Sequence, residues 1–241
     1  MRSLRCLCSV PHPLIIAIDG PSGSGKSTLG RLLARALNLL YIDTGSMYRA
    51  VALAVIESQR DPTDPEAVTS LAEGLNIDLT GDPDSLKVLL GGRDITEQIR
   101  SEAVTEMSSI ISAIPGVRRA MVARQREIGR RGAVLNGRDI GTVVFPEADV
   151  KFFLTAGANE RAQRRFAEEH EQNPTVDFAE MLADMTERDR RDSTRTDSPL
   201  KIADDAIVID STGLSIPEVF ERMMNALHKK AEGRSQTLGK D

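Results

Sequence analysis

Two spacings of apolar residues recur along the chain. Short apolar blocks of strand length occur at 14–18 (LIIAI), 41–43 (YID), 75–80 (LNIDLT), 86–90 (LKVLL), 133–136 (AVLN), 148–155 (ADVKFFLT) and 206–210 (AIVID). Between them apolar positions fall three and four residues apart, the period of a helix. In TLGRLLARALN (28–38) these are Leu29, Leu32, Leu33, Ala36 and Leu37. ANERAQRRFAEEH (158–170) and DFAEMLADMTERDRRD (177–192) read as two more helices, the second with Phe178, Leu182 and Met185 on its apolar side. SIPEVFERMMNALHKK (215–230), capped by Ser215, reads as the last. Thr44 is placed to cap a helix after YID, and Pro115 to start one. Buried strands alternating with helices predict an α/β fold, a doubly wound parallel sheet.

The ends of the chain lack such patterns. MRSLRCLCSVPHP (1–13) has no apolar block of signal-peptide type and is expected to be a disordered extension; AEGRSQTLGKD (231–241) is expected to be a frayed tail. The 241 residues between and including them are enough for one core with small insertions. A net charge of −5 gives no overall basic field, so nucleic acid is not expected as a partner and any anion site must be local. The longest apolar runs are too short to cross a bilayer, so no membrane role is expected. Cys6 and Cys8 both lie in the extension, which removes a disulfide framework or cysteine zinc site from the body and suggests the cytoplasm. His12, His170 and His228 are scattered and read as surface histidines.

One segment carries explicit chemistry. GPSGSGKST (20–28) contains Gly20, Pro21, Ser22, Gly23, Ser24, Gly25, Lys26, Ser27 and Thr28, and it fits G-x-x-x-x-G-K-[ST]. It lies between a predicted strand and a predicted helix, the setting that makes this pattern a P-loop. Glycines let backbone N–H groups turn inward around a polyphosphate, and the helix start adds unpaired donors. Lys26 is placed for the β- and γ-phosphates and the Ser27 hydroxyl for Mg²⁺. ATP with Mg²⁺ is the expected ligand.

A P-loop serves switches and kinases alike. No N-K-x-D segment is present to read guanine. A kinase needs a second cationic site facing the first, and four stretches offer one. Arg49 lies on the first turns of the helix after YID, and Arg118 on the first turn after Pro115. Arg138 and Asp139 follow the strand at 133–136, where loops of a doubly wound sheet form the ligand crevice. In the last stretch, Arg161, Arg164 and Arg165 share a face of one helix. Arg188, Arg191 and Arg195 share a face of the next if that helix runs through Arg195. The two helices predict a lid over bound phosphates at 158–197, with Glu160, Asp189 and Asp192 positioning the guanidinium groups.

Taken in order, IAIDGPSGSGKST, IDTGSMYRA, NGRDIGTVVFPEADVKFFL, ERDRRDSTR and IVIDSTGLSIPEV resemble the bacterial cytidylate kinases over about residues 14–228. The resemblance implies phosphoryl transfer from ATP to CMP or dCMP with Mg²⁺, in a kinase domain over 14–230, with a small β-rich insertion at 66–100. It implies base contacts at Ser109, Arg118 and Asp139, monophosphate contacts at Arg49, Arg138 and Arg195, and sugar contacts at Arg188 and Asp192. It also implies Thr44 near the acceptor phosphate and Arg161 and Arg165 at the ATP phosphates. Lys26, Arg138, Arg188 and Arg195 are then the residues expected to carry catalysis. Asn136 departs from the family pattern, which usually has an acid before GRD. A monomer is expected. Two other readings stay open on the residues alone: a P-loop kinase for another small acceptor, and a non-catalytic nucleotide-binding module.

Overall fold

The structure, a computed structural model, describes residues 13–171 and 174–238, with side chains as far as residue 232. The expected N-terminal extension up to residue 12, with Cys6, Cys8 and His12, lies outside the described residues, as do residues 239–241.

Five parallel strands form the central sheet in the order β2-β6-β1-β7-β8: β1 Ile15–Asp19, β2 Leu40–Asp43, β6 Ala133–Gly137, β7 Val150–Thr155 and β8 Ile207–Asp210. The strands are near-continuous apolar runs because both faces are covered. Successive side chains point to opposite faces. Ile16, Ile18 and Val134 therefore join one core with helices α1 (Lys26–Leu37) and α8 (Ile216–Leu238). Ala17, Ala133 and Leu135 join the other, with α2 (Thr44–Glu57) and α5 (Pro115–Gly129). This is a doubly wound α/β fold.

Residues 66–100 begin with most of a helix, α3 (Pro65–Gly74), whose N-terminus is capped by the Asp64 carboxylate. A three-stranded antiparallel sheet follows: β3 Ile77–Thr80, β4 Lys87–Leu90 and β5 Arg93–Asp94. The last strand is two residues long. Helix α4 (Glu102–Ile111) then packs along α2.

Helices α6 (Ala158–His170) and α7 (Phe178–Thr194) form a hairpin with its own small core of Ala162, Met181 and Met185. Phe166 meets Phe178 edge-on at 5.7 Å and stacks on His170 at 4.9 Å. Two expectations change here. Helix α7 ends at Thr194, and Arg195 is extended (φ −60°, ψ 146°), so it leaves the helix rather than sharing its face. Helix α8 runs to Leu238 instead of fraying at residue 231, where Ala231 is still buried. Extending a formed helix adds one hydrogen bond per residue fixed, so the weak pattern of the tail does not stop it.

Candidate active site

The P-loop leaves the carboxyl end of β1 and turns on glycines. Gly20 has φ +148°, and a Cβ there would lie 2.0 Å from the Leu154 carbonyl oxygen. Gly25, at φ +87°, takes the left-handed conformation that opens α1. Lys26 is the first residue of that helix and is buried; its Nζ donates to Pro21 O at 2.5 Å and Ser24 Oγ at 3.3 Å. Burial and the nearby Arg138 hold its pKa well below the ordinary lysine range.

One cavity of about 650 Å³ opens over this loop, lined by Ser22, Gly23, Gly25, Lys26, Ser27 and Thr28 on one side. Arg49, Arg118, Arg138, Asp139, Arg188, Asp192 and Arg195 line it from α2, α5, the loop after β6, and the end of the lid. Nine basic and four acidic side chains face it, a local surplus of five positive charges on a chain whose total is −5. The arrangement suits anionic ligands.

The charged groups are held by one another. Asp192 accepts from Arg138 Nε at 2.9 Å and from an Arg195 NH at 3.1 Å. Burial pushes its carboxyl up, but Arg138, Arg195 and Arg188 outweigh this and leave it below the usual range. Arg188 is pulled down to about 9, first by burial and then by repulsion from Arg138. Arg118 and Asp139, both buried, form an ion pair, and Arg118 lies over the Tyr48 ring at 5.4 Å. Arg118 Nε, Arg49 Nε and one Arg195 NH are buried without a hydrogen-bond acceptor among the described residues. Buried donors left so are costly, and a phosphate or base would satisfy them.

Some predicted residues fall elsewhere. Ser109 does not line the cavity; Ser108 and Ser112, one helical turn apart, do. Arg161 also does not line it. Its guanidinium donates to Ala156 O, to Ser22 O and to Asp189, so it stitches the lid to the P-loop backbone instead of facing phosphates. Arg165 lines the cavity while paired with Glu169. Arg191 does not line it and turns toward Glu187. Gly20, Pro21 and Ser24 shape the loop from behind. Thr44 lines the cavity, but Asp43 caps α2, its carboxylate accepting from Gly45 N; the Thr44 hydroxyl donates to Asn136 O at 2.8 Å. Arg31, Tyr48, Arg164, Glu168 and residues 214–216 also line the cavity; the sequence assigns none of them a ligand, although Tyr48 and 214–216 lie in family-like segments and Arg164 in the lid stripe.

The family model for cytidylate kinase matches residues 16–229, which include every one of these segments. The chain belongs to the cytidylate kinase family. It is 46% identical over 220 residues to the cytidylate kinase of Rhodococcus opacus (strain B4), covering 90% of this chain and 96% of that one. To the cytidylate kinase of Solibacter usitatus (strain Ellin6076) it is 49% identical over 220 residues, covering 90% and 93%. To that of Bacillus licheniformis (strain ATCC 14580) it is 44% identical over 221 residues, covering 91% and 98%. As a cytidylate kinase family member it is an ATP-dependent nucleoside monophosphate kinase.

The residues beside the cradle fit a magnesium ion. Ser27 Oγ faces the cavity and accepts from Asn136 Nδ2 at 3.1 Å. Asn136 Oδ1 is buried and has no donor among the described residues. Two neutral oxygens suit a hard cation that keeps most of its waters. No group of three metal-ligating His, Cys, Asp or Glu occurs among the described residues, so nucleotide phosphates would supply the negative charge.

Proposed function

We propose that the chain transfers the γ-phosphoryl group of ATP to CMP or dCMP, giving ADP and CDP or dCDP. The observation that carries this reading is the buried Arg118–Asp139 pair on a wall of the cavity that also holds the lysine cradle. Cytosine offers an amine donor to the Asp139 carboxylate and two acceptors to the Arg118 fork. Uracil offers a carbonyl where cytosine has the amine, so it meets Asp139 lone pair to lone pair.

The reaction needs positioning and charge stabilisation more than covalent help. Lys26 and the P-loop N–H groups hold the ATP phosphates. Arg49, Arg138 and Arg195 hold the acceptor phosphate, and Arg188, on the lid helix and close enough to Arg138 to be repelled by it, stabilises the charge in transfer. One phosphate oxygen of CMP forms the new P–O bond as the bond to the bridging oxygen of ADP breaks. That oxygen is ionised near neutral pH, so no general base is needed. Mg²⁺, held by Ser27 and through water by Asn136, would neutralise phosphate charge. Arg164 and Arg165 on the lid face the same cavity and add cations for the ATP phosphates. The reading goes with a monomer of the cytoplasm working on free nucleotides; the cysteine-free body depends on no oxidising compartment.

ADP release measured with CMP, dCMP, UMP, AMP and shikimate tests it. Turnover that depends on CMP or dCMP is the expected result. Turnover with AMP but not CMP would overturn the base assignment, and ADP formation independent of any acceptor would overturn the kinase reading.

A further inference from the structure

Asp19 ends β1 one residue before the phosphate cradle, and the chemistry above gives it no task. It is 4% exposed, and no cation lies within ion-pair distance of it among the described residues. Its two carboxylate oxygens instead accept the N–H groups of Ile140 and Gly141, each at 2.8 Å. Those amides open the tight turn Ile140–Val144, directly after Arg138 and Asp139. A first turn leaves such donors without partners of its own, and a carboxylate 121 positions away in sequence satisfies both. The arrangement is costly, because burial pushes the Asp19 carboxyl up to about 6, against the opposing pull of the two amides.

The chain leaves the sheet after Gly137, the residue paired with Asp19 in the ladder. Beyond that point Arg138 is tied to Asp192 of the lid, and Asp139 to Arg118 of α5. Asp19 is thus the anchor of this segment to the strand that carries the P-loop.

We propose that Asp19 is a positioning residue for phosphoryl transfer: it fixes the segment bearing Arg138 and Asp139 to the base of the phosphate cradle and so sets the separation of the two nucleotide subsites. This deepens the proposed function and rests on it. Asparagine in its place presents one acceptor to two donors, which releases one end of the turn. Misplacement of reacting groups by about 1 Å costs about 100-fold in rate.

The test is Asp19→Asn in the full chain, with kinetics, calorimetric binding of a non-hydrolysable ATP analogue, and melting temperature. The expected result is a fall in kcat of about 100-fold, while affinity for the ATP analogue stays within about threefold. Unchanged kcat would overturn the proposal, as would a parallel loss of analogue affinity and melting temperature, the signature of a merely structural carboxylate. If the wild-type chain phosphorylates another monophosphate but not CMP, the cytosine reading fails, and the same split is read with that acceptor. Should the variant not fold, Asp19→Glu, which keeps two acceptors at a changed reach, is read by the same split of kcat against analogue affinity, and wild-type NMR checks the contact itself. The amide protons of Ile140 and Gly141 should shift together with one transition near pH 6, with Lys26, Asp139 and the Lys151 chain packed over Gly141 as the charged neighbours. Flat or independent shifts of the two amides would contradict it.

Discussion

The two sides of the cavity are made of different material. The cradle side, proposed for ATP, is largely backbone: nine consecutive residues, 20–28, turned by glycines at one strand end. The facing side, proposed for the acceptor, is side chain: guanidinium groups from α2, α5, the loop after β6 and the lid, held by Asp139 and Asp192. A backbone cup is one contiguous feature whose shape is also part of the fold. A ring of side chains is assembled from distant segments, and its members repel one another unless acids separate them. Changes on the first side should therefore harm fold and function together, and changes on the second should separate them.

Gly20→Ala should break this contrast most visibly if it is wrong. The new Cβ meets a backbone oxygen at 2.0 Å, so the loop must move. We expect loss of ATP binding together with a stability loss of at least about 1–3 kcal/mol, read as a lower melting temperature; normal melting with normal ATP affinity would contradict it. Arg188→Ala is the counterpart. It removes a buried cation whose pKa is lowered by burial and by Arg138, so kcat/KM should fall about 1000-fold with melting unchanged or raised. A large stability loss there would return the arginine-rich end of α7 to a structural role. Asp139→Asn sharpens the comparison within the ring. Use of CMP should fall about 100-fold and the preference over UMP should shrink, measured in competing-acceptor assays. Asn136→Asp has the smallest effect. It adds a charge beside Ser27, so the Mg²⁺ concentration for half-maximal rate should drop by up to about tenfold; an unchanged requirement would detach Asn136 from the metal.

The same division explains what the sequence made legible. The cradle was readable because its nine residues are contiguous and its strand and helix flanks have clear periods. The sheet's strands were readable as apolar blocks, but β5, at two residues, has no period to detect. The ring was visible as arginines on separate stretches around one expected crevice, and resemblance to a family gave each its ligand. Where the sequence misses, the miss is small and direction decides: Asp43, not Thr44, caps α2, and Ser108 and Ser112 face the cavity where Ser109 does not. Arg161 shows the limit most clearly. A helical stripe predicts which side chains share a face, but a backbone carbonyl and Asp189 lie closer to that guanidinium than the cavity does. Arg31 carries no motif at all, and residues 214–216 lie in a segment that signals family without a role; only the folded chain brings them to the cavity.

The central claim is that a glycine-turned cup and an arginine ring hold two nucleotide anions in line. A crystal structure with adenosine and cytidine joined by five phosphates tests it most directly. The account predicts phosphates running from the P-loop amides and Lys26 to Arg49, Arg138, Arg188 and Arg195, with cytosine hydrogen-bonded to Asp139 and Arg118. Cytosine bound elsewhere, or those arginines turned from the phosphate chain, would contradict it.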